Sequence, residues 1–387
     1  MSTTTLDESA TRLNLDRSEW KPVKFGDVAV KQNESVDRET TELKRYIAGE
    51  HMRSEDLHLR EWGEIGEDYL GPAFTRKFNA GDILYGSRRT YLKKVAVAHF
   101  EGITANTTFV IKANEDLIVK ELLPFVILSE GFTQHSVRNS KGSVNPYINW
   151  KDIANFEFLL PPQDQQAKLA ELLWAADAVL ISSREKYQSL DRSFKSYAKE
   201  IASKDHPHSE YKSIKDLCHI KDNLRQPLNS SERASIKGSI PYYGANGVVD
   251  HINDFIFDEP LCLLAEDGGN FSEFYFKEIA YRVYGKAWVN NHAHVLTVKN
   301  ESIPFEWLFY SLVHKNLLKW IIGTTRVKLN KAELLRVPIW VPQADIMNEH
   351  INRIQCIETA RETSIVDLKS SAQLLKSLIN EIFSQPV

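Results

Sequence analysis

The chain has little of what marks several large protein classes. Its three cysteines in 387 residues, Cys218, Cys262 and Cys356, are too few and too scattered for a disulfide framework. No apolar run approaches the roughly 18–20 residues of a membrane-spanning helix, so no membrane partner is expected. The opening MSTTTLDESATRLNLDRSEW lacks the apolar core of a signal peptide, and a cytoplasmic location is expected. Excess positive charge is missing too: 48 Lys+Arg stand against 52 Asp+Glu, a net −4. That argues against coating nucleic acid by overall charge and leaves only local basic surfaces for such a role.

Catalytic signatures are equally scarce. Gly285-Lys286 resembles a phosphate-binding loop, but Ala280 stands where its first glycine belongs and Ala287 where Ser or Thr belongs. Asn145-Pro146-Tyr147 has one proline where amino-methyltransferases carry two, and no glycine-rich strand–turn–helix is present for S-adenosylmethionine. Asp258, Glu259, Glu266 and Asp267 lack the lysine a common metal-dependent nuclease places two residues beyond its acid. AEDGGN therefore reads as a turn. His292-Ala293-His294 points two imidazoles to one side of a strand, but no third ligand is fixed, so local hydrogen bonding is expected there. No catalytic residue, metal site or cofactor of this chain's own follows.

What the chain does have is a second copy of itself. GSVNPYINWKDIANFEFLLPPQDQQAKLAELL, from Gly142, is matched by GTTRVKLNKAELLRVPIWVPQADIMNEHINRI from Gly323, 181 residues later. Each copy runs glycine, polar loop, apolar residue with Asn (Ile148-Asn149, Leu329-Asn330), a partly apolar segment, proline, Gln (Gln163, Gln343) and a long helical pattern. The unit starts correspond as well, WKPVKFGDVAVKQN at Trp20 with YKSIKDLCHIKDN at Tyr211, as do GITANTTFVIKANED and WVNNHAHVLTVKNE. A fixed-period repeat of this kind sets the architecture before any detail does.

After each proline joint the apolar residues step by four and three. Leu169, Leu173, Ala176, Leu180, Ser183, Tyr187, Leu190, Phe194, Tyr197 and Ile201 form the first seam. Ile351, Ile354, Glu358, Arg361, Ile365, Leu368, Ala372, Leu375, Ile379 and Ile382 form the second, interrupted by two polar residues that predict looser packing or a shifted register. Without internal Gly or Pro, each helix runs ~35–40 residues, roughly 55–60 Å. The simplest arrangement is antiparallel pairing with a globular unit at each end; the plainer alternative is an amphipathic helix lying on the domain before it. Pro161-Pro162 and Pro342 close the preceding strands.

Within the units, KVAVAHF (94–100), TTFVIKA (107–113), FEFLL (156–160), PLCLLAE (260–266) and AHVLTV (293–298) read as strands. ELLPFVILSEGFTQHSV and PFEWLFYSLVHKNLLKWI read as helices. The expected fold is α+β: two similar domains separated by two long antiparallel coiled-coil helices in a pseudo-twofold repeat. The divisions are a tail 1–17, domain 18–162, helix 163–205, domain 206–342 and helix 343–387.

The loops carry the candidate binding residues. YGSRRTYLKKVAV supplies Arg88, Arg89, Tyr91, Lys93 and Lys94, and HSVRNSKGSVNPY adds Arg138, Asn139, Lys141 and Asn145. The second unit offers Lys221, Arg225, Arg233, Lys237, Lys286 with Trp288, Arg326 and Lys328. Arginine, lysine and asparagine suit phosphate contact and the reading of base edges. Any one of these is ordinary on a charged surface; their clustering in corresponding loops of both copies gives the set its weight.

Over about residues 18–384 the chain resembles the specificity subunit of type I restriction-modification enzymes. The resemblance rests on the duplicated Gly-to-Asn loop, the strand-to-proline joints NFEFLLPPQDQQAKL and VPIWVPQADIMNEHI, and the long helices. GDILYGS and YYGANGVVDHINDFIF…LLAEDGG…WVNNHAHVL also match. It implies two target-recognition domains, each reading half of a split asymmetric sequence in double-stranded DNA, with the helices as spacer ruler. It also implies two modification subunits supplying methyltransferase chemistry with S-adenosylmethionine, and restriction subunits using ATP and Mg²⁺. The second joint departs from the pattern, with Val341-Pro342-Gln343 in place of a double proline. A protein–protein adaptor built on the coiled coil, without a DNA role, is the competing expectation; a stand-alone nuclease or methyltransferase is disfavoured by the missing motifs.

Overall fold

The computed structural model describes residues 13–66, 69–203, 206, 210–299, 301–323 and 327–383. The chain separates into two units, residues 1–184 with 367–387, and residues 185–366. The first unit begins with β1 (Lys21–Lys24), α1 (Phe25–Val28), β2 (Ala29–Gln32), β3 (Arg45–Ile47), β4 (Gly63–Glu64) and β5 (Phe74–Phe78). It continues with β6 (Ile83–Gly86), β7 (Val95–Val97), β8 (Gly102–Ala105), β9 (Thr108–Ala113), α2 (Leu123–Leu128), α3 (Glu130–Arg138), α4 (Trp150–Ile153) and β10 (Glu157–Leu160). Its strands make a β1-β10 pair and two four-stranded sheets, β2-β9-β6-β7 and β4-β3-β8-β5.

The first of those sheets is covered on both faces, which is why its strands are nearly continuous apolar runs. Successive residues of β6 and β9 point to opposite sides. Ile83, Tyr85, Phe109 and Ile111 enter a core shared with Phe125, Phe132 and Phe156. Leu84 and Val110 enter a second core with Ile47 and Phe78.

After α5 (Gln163–Ala202) come β11 (Tyr211–Ser213), α6 (Ile214–Leu217), β12 (Cys218–Ile220), α7 (Ser230–Ser235), β13 (Lys237–Gly244), β14 (Gly247–Ile252) and β15 (Phe257–Asp258). Then follow β16 (Leu261–Ala265), β17 (Ala280–Val283), β18 (Lys286–Val289), β19 (Ala293–Val298), α8 (Phe305–Leu312), α9 (Lys331–Leu334), β20 (Pro338–Trp340) and α10 (Ala344–Ile382). The sheets are β11-β20, β12-β19-β16-β17 and β14-β13-β18-β15. Every strand of the first unit thus has its counterpart ten strands later, in the same neighbour order. Among the named strands of the described residues, the corresponding pairing in each unit is parallel, β3 with β8 and β13 with β18. The sequence repeat is a repeat of topology, including the parallel strands that no local pattern specified.

The expected helices of the domains are broken where polar residues intervene. Residues 121–137 form α2 and α3 rather than one helix. Ser129, extended at φ −61° and ψ 150°, accepts from the Phe132 amide and caps α3. The apolar stripe from Pro304 likewise yields α8 and then a short 3₁₀ turn, Leu318–Trp320, rather than one continuous helix.

The two long helices are 40 and 39 residues, and each divides between the units. The helices run Gln163–Ala202 and Ala344–Ile382, the expected 205/206 boundary touches residues outside those described, and packing groups each globular domain with half of both helices. In the first unit Leu169, Leu173, Ala176 and Leu180 share a core with Leu375, Leu378, Ile379 and Ile382. In the second, Phe194, Ala198 and Ile201 share one with Met347, Ile351 and Ile354. Asp191 meets Arg361 at 3.5 Å and Tyr197 meets His350 at 2.8 Å, an antiparallel progression. The C-terminal half of α10 packs with the first domain and not with the domain that precedes it, which excludes the plainer alternative.

The seams hold at their ends and weaken towards the middle. Ser183, Tyr187, Leu190, Ile365 and Leu368 are half-buried, and Ala372, an expected seam residue, is exposed, while Leu378 is buried in its stead. A straight helix has 3.6 residues per turn, so a strict 3.5-residue stripe drifts about 20° per heptad off the contact line. Glu358 and Arg361 do not loosen the helix: Glu358 accepts from the Tyr310 hydroxyl at 2.6 Å and pairs with Arg282 at 2.7 Å. Arg361 pairs with Asp191 and Glu278 and lies 4.0 Å over the Phe194 ring.

Candidate nucleic-acid interface

The repeated loop is built the same way twice. Lys141 and Tyr147 exchange backbone hydrogen bonds of 2.7 and 2.9 Å, as Ile322 and Lys328 do at 2.9 Å each. The next residue in each copy, Ile148 or Leu329, is buried and donates its amide to the carbonyl of Ser87 or Glu266, just past the central strand. Asn149 and Asn330 then take the N-cap positions of α4 and α9. The frame fixes loop position by backbone bonds, so its side chains are free to differ.

In the first unit this frame opens a basic cleft of about 800 Å³. Arg88 and Lys141 line it together with Lys31, Asn106, Tyr147 and Lys151. Lys31, Asn106 and Lys151 escaped the sequence reading because they lie far apart in the chain; β2 and the β8–β9 turn bring the first two to the loop. Lys31 rests 5.0 Å from the Phe109 ring. Partial burial, with the Arg76 charge adding to it, lowers its pKa from the usual lysine value. Lys141 has one carboxylate neighbour, Asp152 at 3.6 Å. Arg89 is exposed at a left-handed φ of 47°; its amide donates to the Pro146 carbonyl and its Nε to Asn145 Oδ1 at 3.2 Å. Asn145 therefore orients an arginine, a role unrelated to methyltransferase chemistry.

The remaining first-unit candidates sit elsewhere. Tyr91, Lys93 and Arg138 line a different groove, of about 420 Å³, with Glu55 and Glu130 in its wall. Lys93 is held at 3.1 Å by Glu55 and 2.9 Å by Glu130. Burial works against its charge, but the two carboxylates outweigh it and raise its pKa. Lys94 donates to the Gly49 carbonyl. Asn139 closes α3, donating its side-chain amide to the His135 carbonyl at 2.8 Å.

In the second unit the same frame carries the opposite charge. Where the first unit has Ser87 and Arg88, the second has Glu266 and Asp267, and two of the expected cations pair with Glu266. Arg225 pairs with Glu266 at 2.7 Å and Lys328 pairs with it at 2.9 Å. Lys221 meets both oxygens of Glu259 at 2.6 Å. Arg233 and Lys237 share Asp250, whose carboxyl is held well below the usual range first by Lys237 and then by the His251 amide and Arg233. Lys286 is exposed, 4.4 Å from the Phe255 ring, and Trp288 is buried two residues along in β18. Arg326 lies outside the described residues.

Asp222, Glu266 and His294 approach closely enough to suggest a cation site. His294 Nδ1 is 2.7 Å from Asp222 and its Nε2 is 2.7 Å from the Leu329 carbonyl, so both ring nitrogens are occupied. His292 faces Asp267 separately at 2.5 Å. With Arg225 and Lys328 already supplying positive charge, the donor set is an ion-pair network and does not fit a metal. Gly285 sits in the turn between β17 and β18 at φ 75°, and Lys286 opens β18.

No helix among the described residues is long and apolar enough to cross a membrane. A solved specificity subunit from M. genitalium has a similar fold, with a TM-score of 0.63 at 13% identity, covering 97% of this chain and 99% of that one. A chain from a structure of type I restriction-modification complex assembly and conformational transition gives 0.61 at 16% identity, covering 94% and 97%. In sequence, a candidate type I restriction enzyme specificity subunit of Haemophilus influenzae is 35% identical over 148 residues, 38% of this chain and 37% of that protein. The EcoDI specificity subunit of Escherichia coli is 27% identical over 153 residues, 39% and 33% respectively. The match thus spans about a third of these relatives' own lengths. The family model for the type I restriction modification DNA specificity domain matches twice, at residues 17–192 and 208–364, and the chain belongs to that family.

Proposed function

We propose that this chain is the non-catalytic DNA specificity subunit of a type I restriction-modification system. Each globular domain reads one half of a split, asymmetric target in double-stranded DNA. The two helices set the spacer and dock two modification subunits. S-adenosylmethionine belongs to those subunits, and ATP and Mg²⁺ to restriction subunits that join them, all in the cytoplasm.

The observation that carries this reading is one backbone frame presenting two different charge patterns. Arg88, Lys141, Lys31 and Lys151 make the first cleft basic, whereas Glu266 and Asp267 hold the equivalent place in the second unit. Two unlike half-sites call for two unlike surfaces on one scaffold. Exposed Arg88, Arg89 and Asn145 suit phosphate contact or bidentate reading of purine edges. In the second unit the exposed Lys286 suits phosphate contact.

The test is reconstitution. The chain is purified with a matching modification subunit and assayed for methylation of a library of duplexes. Methylation confined to one split sequence supports the reading. Methylation indifferent to sequence, or a complex that forms without DNA binding, overturns it in favour of a protein adaptor.

A further inference from the structure

We propose that the second unit holds a small-anion site for a phosphate group, in the cavity enclosed by Lys199, His314, Lys315 and Lys319. The cavity measures about 460 Å³ and is completed by Ser203, Asn316 and the aromatic residues Tyr275 and Trp320. That lies within the ~300–1,000 Å³ usual for small-ligand sites. Three lysines and a histidine line it, and no described lining residue is a carboxylate.

Lys315 and His314 are buried at a cost that their present contacts only partly offset. Lys315 is 4% exposed, and its Nζ donates to the Ala202 carbonyl at the end of α5, at 2.7 Å. Burial, with the Lys319 charge adding to it, pushes its pKa down to about 8. His314 is 1% exposed; its Nδ1 contacts the Phe274 carbonyl at 2.7 Å, while its Nε2 is buried with no hydrogen-bond partner among the described residues. The carboxylate of Glu278, which acts on His314 from outside the lining, is already engaged by Arg361 at 3.2 Å. Lys199 lies 4.4 Å from the Tyr275 ring and Lys319 3.9 Å from the Trp320 ring, contacts that hold a cation without neutralising it. Buried charge is normally paired, and a lone buried ring nitrogen normally bonded.

A tetrahedral oxyanion supplies what is missing. Its several oxygens accept from the Lys315, Lys199 and Lys319 ammoniums, and from His314 Nε2 once that ring is protonated; burial lowers the His314 pKa, and a bound anion opposes that shift. Its charge offsets the repulsion between Lys315 and Lys319. Chloride, with one centre, satisfies fewer of these donors. The phosphate group can belong to a free anion or to a nucleic-acid backbone. The cavity is separate from the loops assigned to base reading, so the inference stands or falls apart from the proposed function.

The test uses the full-length chain and inorganic phosphate. Thermal unfolding is followed in millimolar phosphate and in chloride at matched ionic strength, with phosphorus-31 line broadening as a direct readout of binding. The wild-type midpoint rises with phosphate and the line broadens. Lys319→Gln and Lys199→Gln, on side chains that are not fully buried, keep the fold and weaken binding roughly tenfold each, as expected for loss of one charge-assisted hydrogen bond. A midpoint equal in the two salts, or a wild-type phosphate response in both variants, overturns the proposal. Adding a short duplex without a split target assigns the source: competition identifies a backbone phosphate, and undiminished phosphate binding a free anion.

Discussion

Gly142 and Gly323 stand 181 residues apart at the same point of two copies of one loop, and both have positive φ, 86° and 98°. Each belongs to the bridged loop that sets the candidate DNA-facing side chains, Lys141 with Tyr147 in one copy and Ile322 with Lys328 in the other. Glycine reaches this backbone region without the clash a Cβ brings. Space is not the constraint at Gly142, where a Cβ would meet nothing nearer than 4.0 Å. Gly142→Ala is therefore expected to destabilise the first unit by about 1 kcal/mol through backbone strain alone. Urea unfolding measures it. Ser143→Ala, at the exposed neighbouring position, serves as the control and is expected to leave the midpoint unchanged.

Glu358 joins helix α10 to the second domain through Arg282 and Tyr310. Burial comes first among the causes that raise the Tyr310 pKa, followed by its bond to Glu358. For Arg282, burial works against the charge and Glu358 more than restores it. Removing the carboxylate strands a half-buried guanidinium. Glu358→Ala is expected to cost about 2–3 kcal/mol, less than for a fully buried pair because Arg282 retains some solvent. The double replacement Glu358→Met with Arg282→Met is expected to cost less than either single change, since it leaves no unpaired charge. Urea unfolding of the two single Met variants, the double variant and the wild type reads the coupling directly.

This ion pair shows where sequence reasoning reached its limit. Glu358 and Arg361 fall on a regular four-three stripe, and a stripe carries no information about partners on Arg282, Glu278 or Asp191. The stripe still placed both long helices to within a few residues, because proline joints and unbroken apolar spacing are local signals. Lys93 failed to join Arg88 and Lys141 for a related reason: it stands close to Arg88 in sequence, but the left-handed turn at Arg89 sends it towards Glu130. The first cleft was half legible. Arg88 and Lys141 stand in polar loops, whereas Lys31 sits in an ordinary strand and reaches the cleft only through the pairing of β2 with β9.

Acid should weaken the second unit through the ion-pair network around His294. For Asp222, burial raises the pKa, but the His294 contact, the Val295 amide and Arg225 together prevail and hold it below 3.8. Burial likewise opposes the Lys328 and Arg225 bonds at Glu266, whose value falls below 4.5. A carboxylate depressed in the folded state contributes its full stability above its unfolded pKa and loses it as pH falls through the folded one. The midpoint should therefore hold from neutrality down to about pH 4.5 and decline below it. Asp222→Asn lowers the midpoint at neutral pH and flattens that acid decline; a variant curve parallel to wild type would reject the assignment.

Arg88 and Lys93 give the sharpest comparison for the binding surface. Both flank one turn, and both carry positive charge, but Arg88 is exposed in the basic cleft and Lys93 is bound between Glu55 and Glu130. A cation that meets a phosphate releases counter-ions, so its loss reduces the salt dependence of binding by about one unit of slope. If it reads a base instead, its loss costs roughly 1–3 kcal/mol and relaxes the preference at one position. Arg88→Ala, measured in the complex with modification subunits, is expected to impair recognition of one half-site while leaving preference at the other unchanged. Lys93→Ala is expected to lower the unfolding midpoint and leave the salt slope as it was. Equal loss of preference across both half-sites for Arg88→Ala would break the link between this cleft and one half of a split target. A reduced slope for Lys93→Ala would show that its two carboxylates release it to the DNA, and would move the interface to the groove of Tyr91 and Arg138.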